Sequence, residues 1–287
     1  MAERPATTDH DPSVRRFSIQ RSTADRRERL LDSVAVEEPL EIRISYWFKE
    51  ARAAQSLAVT MRTPGHDREL AAGFLFSEGI ITGREQLIDI RSLGGNDSDE
   101  VIAELYKDVD VESWRLSRHS FVSSSCGVCG KRTRDMVAES LPEKSQADGS
   151  DTVRLPASVI WKLPQLLRDH QEGFSKTGGL HAAALFTLEG VLELSFEDIG
   201  RHNALDKLIG HCVLNNRIPL TNHIVLMSSR SSFELVQKCV AARVQILATV
   251  GSPSSLAIET ARDYGMTLIG FVRGDHFNIY SGEWRIN

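Results

Sequence analysis

Cys126 and Cys129 enclose Gly127 and Val128 in the run Ser123-Ser124-Ser125-Cys126-Gly127-Val128-Cys129-Gly130-Lys131-Arg132, so two thiols and two cations fall within ten residues. A pair at this spacing suits a zinc half-site, a dithiol redox couple, or a nucleophile with a neighbour that resolves its covalent adduct. Spacing alone does not choose among the three. A zinc site would need two further ligands from distant His or Asp, because the other cysteines, Cys212 and Cys239, sit in helical apolar patterns as packing residues.

A second set of candidates can hold an anion. The runs Ser228-Ser229-Arg230-Ser231-Ser232, Gly251-Ser252-Pro253-Ser254-Ser255 and Arg273-Gly274-Asp275-His276 each follow an apolar segment, and the first two lead directly into helical patterns. Helix N-termini offer unpaired N–H groups and partial positive charge, so Ser229, Arg230, Ser231, Ser254 and Arg273 suit a phosphate or nucleotide ligand. The plainer reading is that the serines only cap helices.

Two further clusters stand out. The run from Glu197 to Lys207 concentrates charge at a helix start, with Arg201 and His202 as ligand contacts. His202 and Asp206 lie four apart on one helix face and, with His181, could bind a metal; ligand contact by Arg201 and His202 is the stronger reading, with no metal of the chain's own. Gly178-Gly179-Leu180-His181-Ala182-Ala183-Ala184 places one histidine among small residues, a pattern for close packing around a ligand or a tight turn into a core strand.

Alternating segments at 42–46 and 57–61 predict two strands, helical spacing predicts a helix over 67–76, and further strands fall at 87–90, 101–106 and 120–124, with a turn at 94–97. The thiol pair follows the last of these strands and precedes a helix at 133–141. A linker-like stretch at 142–150 marks a subdomain boundary. Beyond it come a helix over 158–171, a hairpin turning at 189–190 and a helix over 201–212. Strands at 224–227, 244–250 and 266–272 then alternate with helices at 233–242 and 255–264. Such β-α-β-α-β order implies parallel strands with helical crossovers, whose ligands gather beyond the strands' carboxyl ends.

The organisation expected is thus a polar, mobile tail over residues 1–35, a smaller α+β subdomain over 36–145 that ends in the thiol loop, and an α/β domain over 151–287. A net charge of −5, from 34 basic and 39 acidic side chains, leaves no basic stripe and argues against nucleic-acid binding. No run is long and apolar enough to span a bilayer, and the start has no secretory h-region. Four cysteines are too few for a disulfide scaffold, so reduced thiols in a cytoplasmic protein are expected.

Several of these strings resemble the formate dehydrogenase accessory sulfurtransferases, the FdhD family. They are Ser124 to Lys131, Gly179 to Ala183, Glu197 to Lys207 and Pro253-Ser254-Ser255-Leu256-Ala257, together with Arg62-Thr63-Pro64-Gly65, Gly73 to Gly79 and Gly270-Phe271-Val272-Arg273. The likeness runs in register from about Glu38 to Tyr280. It implies a protein that takes persulfide sulfur from a cysteine desulfurase. The sulfur passes to a molybdenum or tungsten bis(guanine dinucleotide) pterin cofactor destined for formate dehydrogenase, so a GDP-like moiety is expected to bind. It also implies a cytidine deaminase-like C-terminal domain and a homodimer.

By the same resemblance Cys126 falls on the persulfide-bearing position and Cys129 on the second motif cysteine. Phe271, Val272, Arg273, Gly274, Asp275 and His276 lie where the family is expected to contact the cofactor, although Asp275-His276 stands where a more basic stretch is expected. A deaminase activity does not fit. His181 is followed by Ala182-Ala183 rather than by a catalytic glutamate, and the thiol pair precedes the histidine and lacks a leading proline. Lys131, Arg132 and the following helix favour a Cys126 thiolate, while Gly127 and Gly130 leave its loop free to move between donor and acceptor. A holder of the cofactor that performs no transfer, and a zinc module, are the alternatives.

Overall fold

The computed structural model describes residues 11–93, 99–111 and 153–287. The strand expected at 120–124, the helix at 133–141, the turn at 94–97, the linker at 142–150 and the thiol pair itself lie outside the described residues.

The chain opens with an antiparallel hairpin, β1 (Val14–Ser22) and β2 (Arg27–Ala35), paired from Val14–Ala35 to Ser22–Arg27. The tail expected over residues 1–35 is therefore a paired ribbon from Val14 onward. Arginines at 15, 16, 21, 26, 27 and 29 mask its weak apolar alternation, of which Ile19 and Leu30 are partly buried.

A four-stranded sheet follows, of β3 (Glu38–Phe48), β4 (Ala51–Arg62), β5 (Leu87–Ser92) and β6 (Glu100–Leu105) in the order β4-β3-β6-β5. The strands expected at 42–46, 57–61 and 87–90 lie within these bounds, and the one at 101–106 overlaps β6. Leu40, Ile42, Ile44 and Tyr46 alternate onto one buried face of β3. Burial of each of the aliphatic three stabilises by about 1.5–3 kcal/mol. Helix α1 (Asp67–Ser77) covers that face with Leu70, Ala71 and Leu75.

The second half contributes α2 (Ala157–Asp169), a short α3 (Glu172–Thr177), β7 (His181–Thr187), β8 (Leu192–Asp198), α4 (Arg201–Leu214), β9 (His223–Met227), α5 (Phe233–Ala241), β10 (Ile246–Thr249), α6 (Ser255–Asp263), β11 (Thr267–Arg273) and β12 (His276–Ser281). Its six strands run β12-β11-β10-β9-β7-β8, with β9, β10 and β11 parallel and the outer pairs antiparallel. This is a mixed α/β sheet with helical crossovers, as the alternation predicts. Two elements were not expected. α3 begins just beyond the helix read over 158–171, whose observed counterpart α2 stops at Asp169, and β12 turns the loop at 273–276 into a tight hairpin in which Arg273 pairs with His276.

The six-stranded sheet is buried on both sides, which is why its central strands read as unbroken apolar runs. One face carries Ala182, Ala184, Phe186, Ile224 and Leu226 against Ile160, Leu163 and Leu167 of α2. The opposite face, with Ala183, Leu185, Val225 and Met227, packs on α4, α5 and α6. That layer is continuous with α1 and the four-stranded sheet, so the two sheets assigned to separate subdomains share one apolar core. Among the described residues no helix is long and apolar enough to cross a membrane.

The joint between the halves is the crossing of α1 over α4. A Cβ placed on Gly73 would lie 1.9 Å from the Asp206 carbonyl oxygen, and one on Gly210 would lie 1.8 Å from that of Glu69. Both obstacles are backbone, so neither can swing aside. Gly210→Ala should therefore push the helices apart and cost about 1–3 kcal/mol or more, read as a lowered melting temperature. An unchanged melt would contradict so close a crossing.

Candidate functional site

Parallel strands β9, β10 and β11 deliver three loops to one edge of the sheet, and the start of α4 joins them there. The first two loops are zipped together by main-chain bonds. Gly251 N–H donates to the Ser229 carbonyl at 3.0 Å, Ser254 N–H to that of Ser231 at 3.0 Å, and Ser231 and Pro253 form an isolated parallel bridge. A Cβ on Gly251 would lie 3.0 Å from the Arg230 Cα and N, so the approach is close. Phe271 N–H donates to the Gly251 carbonyl at 3.1 Å from a residue with φ of 54°, where β11 bulges against β12. A left-handed phenylalanine is strained, and such strain persists where the surroundings over-determine it.

Between these loops lies a cavity of about 240 Å³ lined by His181, Ser228, Gly251 and the three arginines Arg201, Arg230 and Arg273. Among the described residues no carboxylate pairs with any of the three. Burial, followed by the nearby Arg201 charge, pushes the His181 imidazole below its ordinary value, so it is neutral at pH 7. The cavity therefore concentrates fixed positive charge around a neutral imidazole, with an open side for an anion.

A larger cavity of about 590 Å³ adjoins it and shares His181, Ser228 and Val250. Its walls are more apolar, from Trp161 on α2 and Phe174 and Leu180 around α3. The Arg168 guanidinium lies 4.1 Å from the centre of the Phe174 ring, and Trp161 meets Phe277 at 6.3 Å. Sequence reading missed Trp161, Arg168 and Phe174. The usable signal was a tryptophan at 161 beside the buried stripe formed by Ile160, Leu163 and Leu167.

The expected site residues divide. Arg201, Arg230, Ser229 and Arg273 line the smaller cavity and Gly274 the larger one. Ser229 is buried and its hydroxyl donates to the Arg230 carbonyl at 3.0 Å. Ser254 caps α6 by accepting from Ala257 N–H at 3.2 Å, and Ser231 is buried between the loops. Val272 is fully buried in the core, whereas Phe271 is half-buried beside the loop it supports. Asp275 and His276 are exposed in the hairpin turn and line neither cavity.

His202 also points elsewhere. Its Nε2 lies 2.9 Å from Glu234 and 3.3 Å from the Ser232 hydroxyl, tying α4 to the start of α5, and its hydrogen bond holds the Glu234 carboxyl below the usual range. Asp206 accepts from both Lys238, at 2.8 and 2.9 Å, and Ser77, at 3.0 Å, rather than joining His202. Among the described residues no group of three or more His, Cys, Asp or Glu is placed to hold a metal ion.

Beneath the arginines lies a buried polar joint. Asp198 is fully buried and pairs with Lys207 at 2.7 Å, and also accepts from the N–H groups of Thr63 and Gly200 and from Asn203. Lys207 in turn donates to the Thr63 carbonyl at 2.9 Å, and Ile199 N–H to the Thr63 hydroxyl at 3.1 Å. The Arg62-Thr63 turn of the first sheet is thereby bolted to the end of β8 and the start of α4, which carries Arg201. Arg62 is itself fixed by a two-point bond to Asp67. Cys212 and Cys239 are buried, and burial pushes their thiols up to about 11 and about 12, so neither supplies thiolate at neutral pH.

The family model described as FdhD/NarQ matches residues 35–287. Among curated relatives, a sulfur carrier protein FdhD of Nocardia farcinica is 44% identical over 275 residues, covering 94% of each chain. One of Sulfurisphaera tokodaii is 42% identical over 89% of this chain and 92% of its own. A solved structure from Desulfotalea psychrophila, described as a formate dehydrogenase accessory protein, superposes with a TM-score of 0.73 at 22% identity, covering 96% of this chain and all of that one.

Proposed function

The chain belongs to the FdhD/NarQ family, and on that premise we propose that it is a sulfur carrier for formate dehydrogenase maturation that delivers sulfur to a nucleotide-bearing cofactor. The observation that carries the acceptor half of this reading is the convergence of Arg201, Arg230 and Arg273 on one cavity beyond the strands' carboxyl ends. Guanidinium groups bind phosphate oxygens by charge-assisted, often two-point bonds, and the crevice at this edge of an α/β sheet is the usual place for such a ligand.

In the full reading, the Cys126 thiolate attacks the outer sulfur of a cysteine desulfurase persulfide. A bond from Cys126 to that sulfur forms, the donor's S–S bond breaks, and the donor leaves as a thiolate, so no outside oxidant is needed. The substrate that receives the sulfur is a molybdenum or tungsten bis(guanine dinucleotide) pterin. Its pyrophosphate lies among the three arginines, and the rest of one nucleotide arm extends into the larger cavity past His181. Attack of Cys129 on the Cys126 persulfide would instead form a disulfide and expel hydrosulfide, so that route requires a thiol reductant at each turn. The protein acts in the cytoplasm as a homodimer, with a C-terminal half of cytidine deaminase-like fold. A holder that binds the cofactor without moving sulfur would use the same cavity and differ only in the role of Cys126.

Calorimetry with GDP tests the acceptor site. Wild-type protein should bind GDP with an affinity that falls as salt rises. Arg230→Glu combined with Arg273→Glu removes two charge-assisted contacts, each worth about 1.5–3 kcal/mol, and should weaken binding at least ~100-fold. Equal affinity in the double variant would contradict the site.

A further inference from the structure

We propose that Glu197 is a positioning residue of the larger cavity, holding in place the short helix α3, whose Phe174 lines that cavity beside Leu180. Glu197 is the penultimate residue of β8, next to Asp198 at the strand's end, and successive strand side chains point to opposite faces. The two neighbouring carboxylates therefore serve different walls. Asp198 fixes the start of α4 and with it Arg201, whereas Glu197 reaches α3.

Its two carboxylate oxygens accept from the second and third N–H groups of that helix, Oε2 from Gly173 and Oε1 from Phe174, both at 2.8 Å. A six-residue helix is too short to hold its own shape in water, so its place is set by what grips its ends. At the far end the chain turns through Gly178, left-handed at φ 69°, whose N–H donates to the Phe174 carbonyl at 2.7 Å. At the near end a Cβ on Gly173 would lie 2.6 Å from Leu180 and 3.1 Å from the Glu197 carboxylate, so Leu180 and the carboxylate close over a bare backbone. On the outer side α3 rests against the N-terminal hairpin, with Lys176 2.8 Å from Asp11 and Ala35 beside Gly179. The helix is clamped between Glu197 and that hairpin, and Phe174, under the Arg168 guanidinium, faces the cavity as a result.

The inference rests on the reading that this cavity takes the part of the nucleotide beyond its phosphates. Two ligands separate the cavities: inorganic pyrophosphate occupies only the arginine site, whereas GDP reaches both. In wild-type protein GDP should bind more tightly than pyrophosphate. Glu197→Ala should lose about tenfold in GDP affinity while pyrophosphate affinity stays at the wild-type value, and Glu197→Gln, which keeps one acceptor oxygen, should recover part of the loss. Backbone amide exchange over 172–177 should speed up in Glu197→Ala with no ligand present. Unchanged exchange would overturn the role of Glu197 whatever binds, as would an equal loss of both ligands or an unaltered GDP affinity. Failure of the wild-type protein to bind GDP at all would instead sink the nucleotide reading, leaving the exchange experiment to decide on Glu197.

Discussion

A Cys126→Ala variant, supplied with a cysteine desulfurase and cysteine, should leave formate dehydrogenase at background activity while binding GDP as the wild-type protein does. The expectation follows from the chemistry of sulfane transfer, which needs a thiolate that is both reachable and ionised. Cys212 and Cys239 meet neither condition, since both are buried and their thiols are raised to about 11 and about 12. Cys126 stands instead among Ser123-Ser124-Ser125 and Gly127, with Lys131 and Arg132 close in sequence. Retained GDP binding shows that the arginine cavity is intact, so that the activation result separates a carrier from a holder. A mere holder of the cofactor would still support the enzyme without Cys126, and normal activation by the variant would favour that alternative.

Lys207→Met should cost about 3–5 kcal/mol of folding stability, a fall in melting temperature on the order of 10 °C. Lys207 and Asp198 are almost entirely out of solvent, at 1% and 0% exposure, so removing the lysine strands a carboxylate in the interior. The loss is not confined to the pair. Lys207 also holds the Thr63 carbonyl, so the first sheet loosens from the start of α4 and Arg201 loses its anchorage. GDP affinity should fall along with stability. By contrast, breaking the exposed Arg68–Asp89 pair at 3.5 Å should change the melt by less than about 1 kcal/mol. Equal, small effects of the two substitutions would contradict the buried joint.

Elements with a strong period were legible from residue types alone. Ile42, Ile44 and Tyr46 alternate cleanly, and the helices opening at Arg201, Phe233 and Ser255 start where apolar spacing and polar starts agree. The hairpin over 14–35 was hidden because arginines occupy both faces of a ribbon that buries little. β12 was hidden for a related reason, since His276, Asn278 and Ile279 are exposed on an edge strand. In the site, the serine and arginine loops could be read because strand order fixes which ends they occupy. The partners of His202 and Asp206 could not, because Glu234 and Lys238 come from another helix. Trp161 and Phe174 were lost among core-packing patterns, although both line the larger cavity.

Sulfur carriage itself is decided by locating the sulfur. After the wild-type protein has reacted with a cysteine desulfurase and cysteine, alkylation followed by peptide mass spectrometry should find one additional sulfur atom on Cys126 and none on Cys212 or Cys239. A Cys126 peptide that carries no additional sulfur would contradict the assignment of this chain as a persulfide carrier.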